Sequence, residues 1–199
     1  MSLSAEIRYV QVENQAILPY IKDMTTLCNT VYAEYPYRYD GNDDDYDYYL
    51  ANYAKTPKSF MCVAFDDDKA IGIATCIPLI DYRSHYIKPF VDQGYPLAAI
   101  AYHGELVLLP EYRGQGIGKA LYLSVENWAR NNQFPYIAFA QIDESKIPVA
   151  PPVDYVPVDG FWDKLGFTKH PELQFNAFYK CVGEEEETYH PMYYWLKKL

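Results

Sequence analysis

The sequence predicts a mixed α/β chain, and three observations carry that reading. Stretches with strand alternation and stretches with helical spacing follow one another along the chain. "SFMCVAFDD" and "KAIGIATCIPLI" flank Asp67-Asp68-Lys69 as the arms of an antiparallel hairpin would. A strand, a helix and a second strand surround a glycine-rich loop at residues 110–119, a βαβ-like unit. With 199 residues, 50% of them hydrophobic, and no glycine- or serine-rich linker, residues 1–199 read as one domain with a sizeable core.

The elements follow in order. "EIRYVQV" (6–12) alternates as a strand, and residues 16–35 carry apolar side chains at helical spacing. Residues 43–55 read as a second helix, with Asp43 to Asp45 favourably placed at its N-terminus. After the hairpin, residues 81–100 lack clean periodicity and contain two prolines, the mark of an insertion with one short helix. "HGELVLLP" (103–110) is a strand, and the helix from Gly116 to about Asn131 presents Ile117, Leu121, Val125 and Trp128 on one face. "PYIAFAQI" (135–142) is a buried strand. Residues 143–160, interrupted by Pro148, Pro151, Pro152 and Pro157, form an extended loop. A short helix "FWDKLG", the strand "LQFNAFYKCV", the acidic turn "GEEEET" and the strand "HPMYYWLKKL" complete the chain.

Charge narrows the partners. Seventeen basic against 27 acidic residues give a formal charge of -10, which disfavours duplex nucleic acid and anionic membranes and suits a small-molecule or cationic substrate. No stretch approaches the roughly 20 apolar residues of a membrane span, and the N-terminus, with Glu6 and Arg8, lacks a signal peptide's apolar core. A cytoplasmic protein is expected. Cys28, Cys62, Cys76 and Cys181 are scattered without a C-x-x-C pair, so they read as core thiols and no metal centre is expected.

The loop "PEYRGQGIGK" holds Gly114, Gly116 and Gly118 between Arg113 and Lys119. Its spacing fits neither a dinucleotide fingerprint nor a Walker A loop, because Lys119 is followed by Ala120 and no hydroxyl is available for magnesium. The physics of anion binding survives: glycines admit a close backbone approach, N–H groups converge at a helix start, and two cations stand beside them.

"LVLLPEYRGQGIGKALY" resembles the acyl-CoA-binding core of the GNAT superfamily of N-acetyltransferases, whose pattern [QR]-x-x-G-x-[GA] is met by Arg113, Gly116 and Gly118. "GFWDKLGF" (160–167) resembles that family's downstream aromatic-x-K-L-G-F segment, in the right order and separation. The resemblance covers about residues 60–180. It implies a largely antiparallel sheet of six or seven strands flanked by helices, and acetyl-CoA as acyl donor. Donor-binding positions carried over are Val107, Leu108, Leu109, Arg113, Gly114, Gln115, Gly116, Ile117, Gly118 and Lys119, with Trp162 and Lys164 from the second segment. The pyrophosphate would rest on N–H groups of residues 113–119, the pantetheine would pair with residues 106–109, and a backbone N–H near Leu108 would polarise the thioester.

An acceptor amine with a pKa of about 10.4 needs a base before it can attack. Glu105, in the strand before the loop, is the first candidate, and His103, two residues earlier on the same strand face, is the second. The family's usual acid is a tyrosine at the position held here by Trp162, whose indole is no practical acid. Tyr155 is the nearest substitute, although a thiolate with a pKa of about 8.5 leaves without strong help. Residues 32–53 concentrate tyrosines and aspartates that suit a cationic amine, and the proline-rich loop and residues 81–100 are other candidate walls. The expected reaction is acetyl transfer to a primary amine of a small molecule; protein or peptide N-acetylation and a non-catalytic acyl-CoA-binding module are the alternatives. A homodimer is left open, with "PMYYWLKKL" as a pairing strand.

Overall fold

The computed structural model describes residues 6–41, 51 and 53–199. The described residues within Met1–Val31, Asn42–Ile77 and His103–Gln133 form one compact unit, and those within Tyr32–Gly41, Pro78–Tyr102 and Phe134–Leu199 form a second.

In the first unit, β1 (Arg8–Glu13) leads through a 3-10 stretch, Asn14–Tyr20, into α1 (Ile21–Tyr32). The sequence suggests one helix over 16–35. Pro19 supplies no N–H and its ring crowds the preceding turn, so the regular i to i−4 ladder begins only after it. The expected helix over 43–55 lies mostly outside the described residues, of which 51 and 53–55 are helical. β2 (Phe60–Asp66) and β3 (Lys69–Pro78) form the expected antiparallel hairpin. Asp67 at the turn takes a φ of 52°, the left-handed conformation for which glycine would be the usual choice. β1 pairs antiparallel with β2, and β2 is buried until its last residue.

Gly72 has a local reason. A Cβ built on it would lie 2.9 Å from the Val107 carbonyl oxygen and 2.8 Å from Leu108 Cδ1. Gly72→Ala should therefore push back the strand that precedes the glycine loop and cost about 1–3 kcal/mol, read as a lower urea midpoint with an unchanged m-value.

β4 (Ile100–Leu108) starts three residues before the expected position. A short 3-10 turn, Pro110–Tyr112, and the glycine loop follow, and then α3 (Ile117–Asn131). Leu121 and Val125 of α3 are fully buried, and Trp128 stacks on Phe60 of β2 with ring centroids 5.6 Å apart.

In the second unit, α2 (Ser84–Asp92) is the short α-helix of the expected insertion, and a 3-10 turn, Leu97–Ala99, follows it. The remaining elements are β5 (Tyr136–Ile142), α4 (Asp159–Lys164), β6 (Thr168–Lys180) and β7 (Glu187–Lys198). The β6 and β7 strands begin earlier than their apolar runs suggest: β6 because Thr168 to His170 pair with Leu196 to Tyr194, and β7 because hairpin pairing extends through exposed polar residues as far as Lys180 opposite Glu187. Tyr194 is fully buried, with its ring 4.6 Å from Phe90 and its hydroxyl donating to the Tyr86 carbonyl at 2.7 Å.

Seven strands are hydrogen-bonded in the order β1-β2-β3-β4-β5-β7-β6. The pairs β1/β2, β2/β3, β5/β7 and β6/β7 are antiparallel, and β4/β5 is parallel, as a strand–helix–strand connection requires. This is the mixed, largely antiparallel sheet with flanking helices that the resemblance implies. One expectation fails: β7 is hydrogen-bonded on both edges, to β5 and β6, so "PMYYWLKKL" has no free edge for pairing across a dimer. The outer strand β6 is partly covered by residues 38–40, where Asp40 N–H donates to the Lys180 carbonyl at 2.8 Å and Val182 N–H to the Arg38 carbonyl at 2.6 Å. All four cysteines are free and buried. Among the described residues no helix is long and apolar enough to cross a membrane, and no three His, Cys, Asp or Glu side chains gather as a metal site.

Candidate functional site

The loop after β4 is held at its base. Tyr112 N–H donates to the Leu109 carbonyl and Arg113 N–H to the Pro110 carbonyl, while the Tyr112 hydroxyl donates to Asp66 at 2.6 Å. Gly114 (φ 75°) and Gly116 (φ 84°) are both left-handed, and a Cβ on either would meet nothing within 4 Å. Conformation, not crowding, selects glycine there. Gly116 is the N-cap of α3 and has no side chain to cap it. The first hydrogen bond of the helix is Ala120 N–H to the Gly116 carbonyl, at 3.0 Å. The N–H groups of Gly114 to Lys119 donate to no backbone carbonyl among the described residues. Gln115, Arg113 and Lys119 are exposed, and Arg113 Nε donates to the Leu108 carbonyl at 3.2 Å, which lays the guanidinium stem along the strand end. Val107 and Ile117 are buried, Leu109 nearly so, and Leu108 and Gly118 are half-buried.

Both base candidates on β4 are anchored by one residue of β3. His103 is 1% exposed, and its Nδ1–H donates to the Thr75 carbonyl at 2.8 Å, which leaves the lone pair on Nε2. Burial lowers its pKa to about 4, with the Thr75 hydrogen bond opposing, so the ring is neutral at pH 7. Glu105 is half-buried, and its N–H donates to Thr75 Oγ1 at 3.0 Å. The Glu105 charge reaches α1, where it adds to burial in pushing the Cys28 thiol well above its ordinary pKa. Thr75, fully buried, thus fixes the strand segment that carries both candidates. The sequence reading overlooked it; its signal is a lone hydroxyl in the apolar run "IGIATCI".

The remaining sequence candidates belong to the second unit. Trp162 is 7% exposed and packs 4.1 Å from the Phe139 ring and 5.4 Å from Phe167. Lys164 is exposed. The Tyr155 hydroxyl donates to Glu144 at 2.6 Å, and its pKa is raised far above the ordinary value by burial, by that hydrogen bond and by the Glu144 charge.

A mixed sheet with one parallel strand pair around a strand, a glycine loop and an uncapped helix N-terminus defines the GNAT fold. The model of the acetyltransferase (GNAT) family matches residues 24–150, and the chain belongs to that family. Solved structures agree in fold. A GCN5-related N-acetyltransferase from Kribbella flavida is 20% identical with a TM-score of 0.58, each chain being covered completely. The ribosomal-protein-alanine N-acetyltransferase of Brucella melitensis is 14% identical with a TM-score of 0.59, covering 98% of this chain and 99% of that one. The PaiA N-acetyltransferase of Thermoplasma acidophilum, solved in complex with coenzyme A, is 15% identical with a TM-score of 0.56, covering 98% and 99%. No curated protein sequence matches the chain.

Proposed function

We propose that this chain transfers the acetyl group of acetyl-CoA to a primary amine of a small molecule. The observation that carries the reading is the set of backbone N–H groups from Gly114 to Lys119, which have no backbone acceptor among the described residues and stand at a glycine-capped helix start beside two cations. Such an arrangement suits a pyrophosphate, with Arg113 and Lys119 adding charge. Membership of an acetyltransferase family and the coenzyme A bound to the Thermoplasma neighbour support the choice of donor. The backbone of Val107, Leu108 and Leu109 would take the pantetheine, and the Leu108 N–H would polarise the thioester carbonyl.

Glu105 takes a proton from the acceptor ammonium, directly or through a water. His103, the other sequence candidate, is disfavoured as base by its 1% exposure and its pKa of about 4. The neutral nitrogen attacks the thioester carbon, the C–N bond forms, and the tetrahedral oxyanion, once its cationic nitrogen has given its excess proton to water, collapses to the amide with cleavage of C–S. The thiolate, with a pKa of about 8.5, leaves without strong acid help. Tyr155 would add little as an acid, since its hydroxyl holds its proton more tightly than an ordinary phenol and already donates it to Glu144.

A thiol-release assay with acetyl-CoA across small amines, polyamines, amino acids and peptides tests the reading. Thiol release above background is expected with at least one small amine. Acetyl-CoA binding with no release for any acceptor would leave a non-catalytic module. Release with an alanine N-terminal peptide alone would favour the protein substrate class that is named for the Brucella neighbour.

A further inference from the structure

Within the first unit, the turn that leads into the glycine loop is tied to the tip of the β2/β3 hairpin. Asp66 and Lys69 are the last pair of that hairpin, and both reach the 3-10 turn Pro110–Tyr112. The Tyr112 hydroxyl donates to Asp66 Oδ2 at 2.6 Å, the length of a charge-assisted bond to a carboxylate. Lys69 Nζ lies 3.2 Å from Glu111 Oε1 and 5.5 Å from the Tyr112 ring centroid. Beside them the Leu109 N–H donates to the Ile71 carbonyl at 2.9 Å. The tip is itself braced by β1: the Arg8 guanidinium stands 4.5 Å from the Phe65 ring centroid and donates to the Asp67 carbonyl at 3.4 Å.

Among these side-chain contacts the Tyr112–Asp66 bond is the one with the strength to hold the loop. Lys69 and Glu111 are both exposed, and an ion pair between them is screened by water and salt. Tyr112 and Asp66 are half-buried. Their hydrogen bond, with burial and the carboxylate charge adding to it, pushes the phenol up to about 12, so Tyr112 keeps its proton at neutral pH. Beyond it the chain passes through two left-handed glycines with open space where a Cβ would stand. The Gln115 amide folds back on the Glu111 carbonyl at 3.1 Å, which ties the middle of the loop to the same turn. The direction of the loop N–H groups therefore follows from how its base is held.

Charge alone would exclude Asp66 from this place. A carboxylate at the root of a loop that receives a pyrophosphate repels the ligand, and the bond to Tyr112 is the role that offsets that cost.

We propose that Tyr112 and Asp66 are positioning residues for the donor, their hydrogen bond fixing the loop entry so that the N–H groups of Gly114 to Lys119 converge before the pyrophosphate binds. The inference rests on the reading of acetyl-CoA as donor and deepens it. A loop ordered beforehand loses less freedom on binding, so loss of the anchor is read as lost affinity.

The test is isothermal titration of the full chain with acetyl-CoA, well below the melting temperature of each variant. Tyr112→Phe and Asp66→Ala should each weaken binding about tenfold, the size of one lost hydrogen bond to a charged group. The double variant should be no weaker than either single one, because both remove the same contact. Asp66→Asn keeps an acceptor for the hydroxyl and should restore most of the affinity. Tyr112→Phe removes one oxygen and keeps the ring, so it reports even where Asp66→Ala fails to fold, a failure that thermal melting identifies. The sign separates the possible roles. A carboxylate that acted on the donor through charge alone would, once removed, leave tighter binding, and one that only stabilised the fold would lower the melting temperature without changing affinity. Tighter or unchanged binding in Asp66→Ala and Tyr112→Phe, or additive losses in the double variant, would overturn the proposal. A wild-type chain that does not bind acetyl-CoA loses the donor reading itself, whereas a wild type and variants that bind it equally lose only this inference.

Discussion

Glu105→Gln should lower kcat/KM for the accepted amine by roughly a hundredfold to ten-thousandfold at pH 7, the range for loss of a positioned general base. An amine with a pKa of about 10.4 is neutral in only on the order of one molecule in a few thousand at that pH. The substitution is isosteric and leaves the backbone bond from the Glu105 N–H to Thr75 Oγ1 in place, so the strand should keep its position. Acetyl-CoA affinity, measured by titration, should not change, because the donor contacts proposed on β4 are backbone ones at Val107 to Leu109 and the substitution alters only a side chain. The deficit should shrink as pH rises and the amine deprotonates by itself. His103 cannot compensate: with a pKa of about 4 it is a weak proton acceptor, and it is 1% exposed. Unchanged turnover in the variant would end the assignment of Glu105 as base.

The parts of this protein legible in the sequence are those set by local chemistry. The hairpin after Phe60, the helix beginning at Gly116 and the parallel strands around it follow from side-chain period and from glycine placement. The limits of β4, β6 and β7 were misjudged because pairing, not apolar content, decides where a strand begins; Lys180 opposite Glu187 is a ladder position without an apolar signal. Which strand is an edge also depends on partners remote in sequence, and so β7 proved to be interior.

The site divides in the same way. The loop is readable because its requirement is conformational, at Gly114 and Gly116, and backbone conformation leaves a mark on residue choice. Thr75, Gly72 and Asp66 matter through what they meet across the sheet, and nothing within a few residues of each reveals it. Thr75 takes the Glu105 N–H with its side chain and the His103 Nδ1–H with its carbonyl, a pairing visible only once β3 lies beside β4. Asp66 gains meaning only when Tyr112, from the turn after β4, brings its hydroxyl to the carboxylate.

His103 makes the fold itself sensitive to pH, in a direction that can be worked out. Unfolded, the imidazole takes up a proton near its ordinary value of 6.5; folded, only near pH 4, because burial disfavours the cation. Between those values the unfolded chain binds more protons, so stability is fully present above about 6.5 and is lost as pH falls toward 4. A shift of that size corresponds to stability on the order of 3 kcal/mol. His103→Asn retains an N–H donor for the Thr75 carbonyl but cannot titrate. Urea unfolding at pH 7 and pH 4.5 should show the wild-type chain losing more stability than the variant, with the contributions of the carboxylates and of the other histidines common to both. Equal losses in the two proteins would mean that His103 is charged in the folded state or that its pocket opens to water on acidification, and either would remove the physical basis for a neutral imidazole on β4.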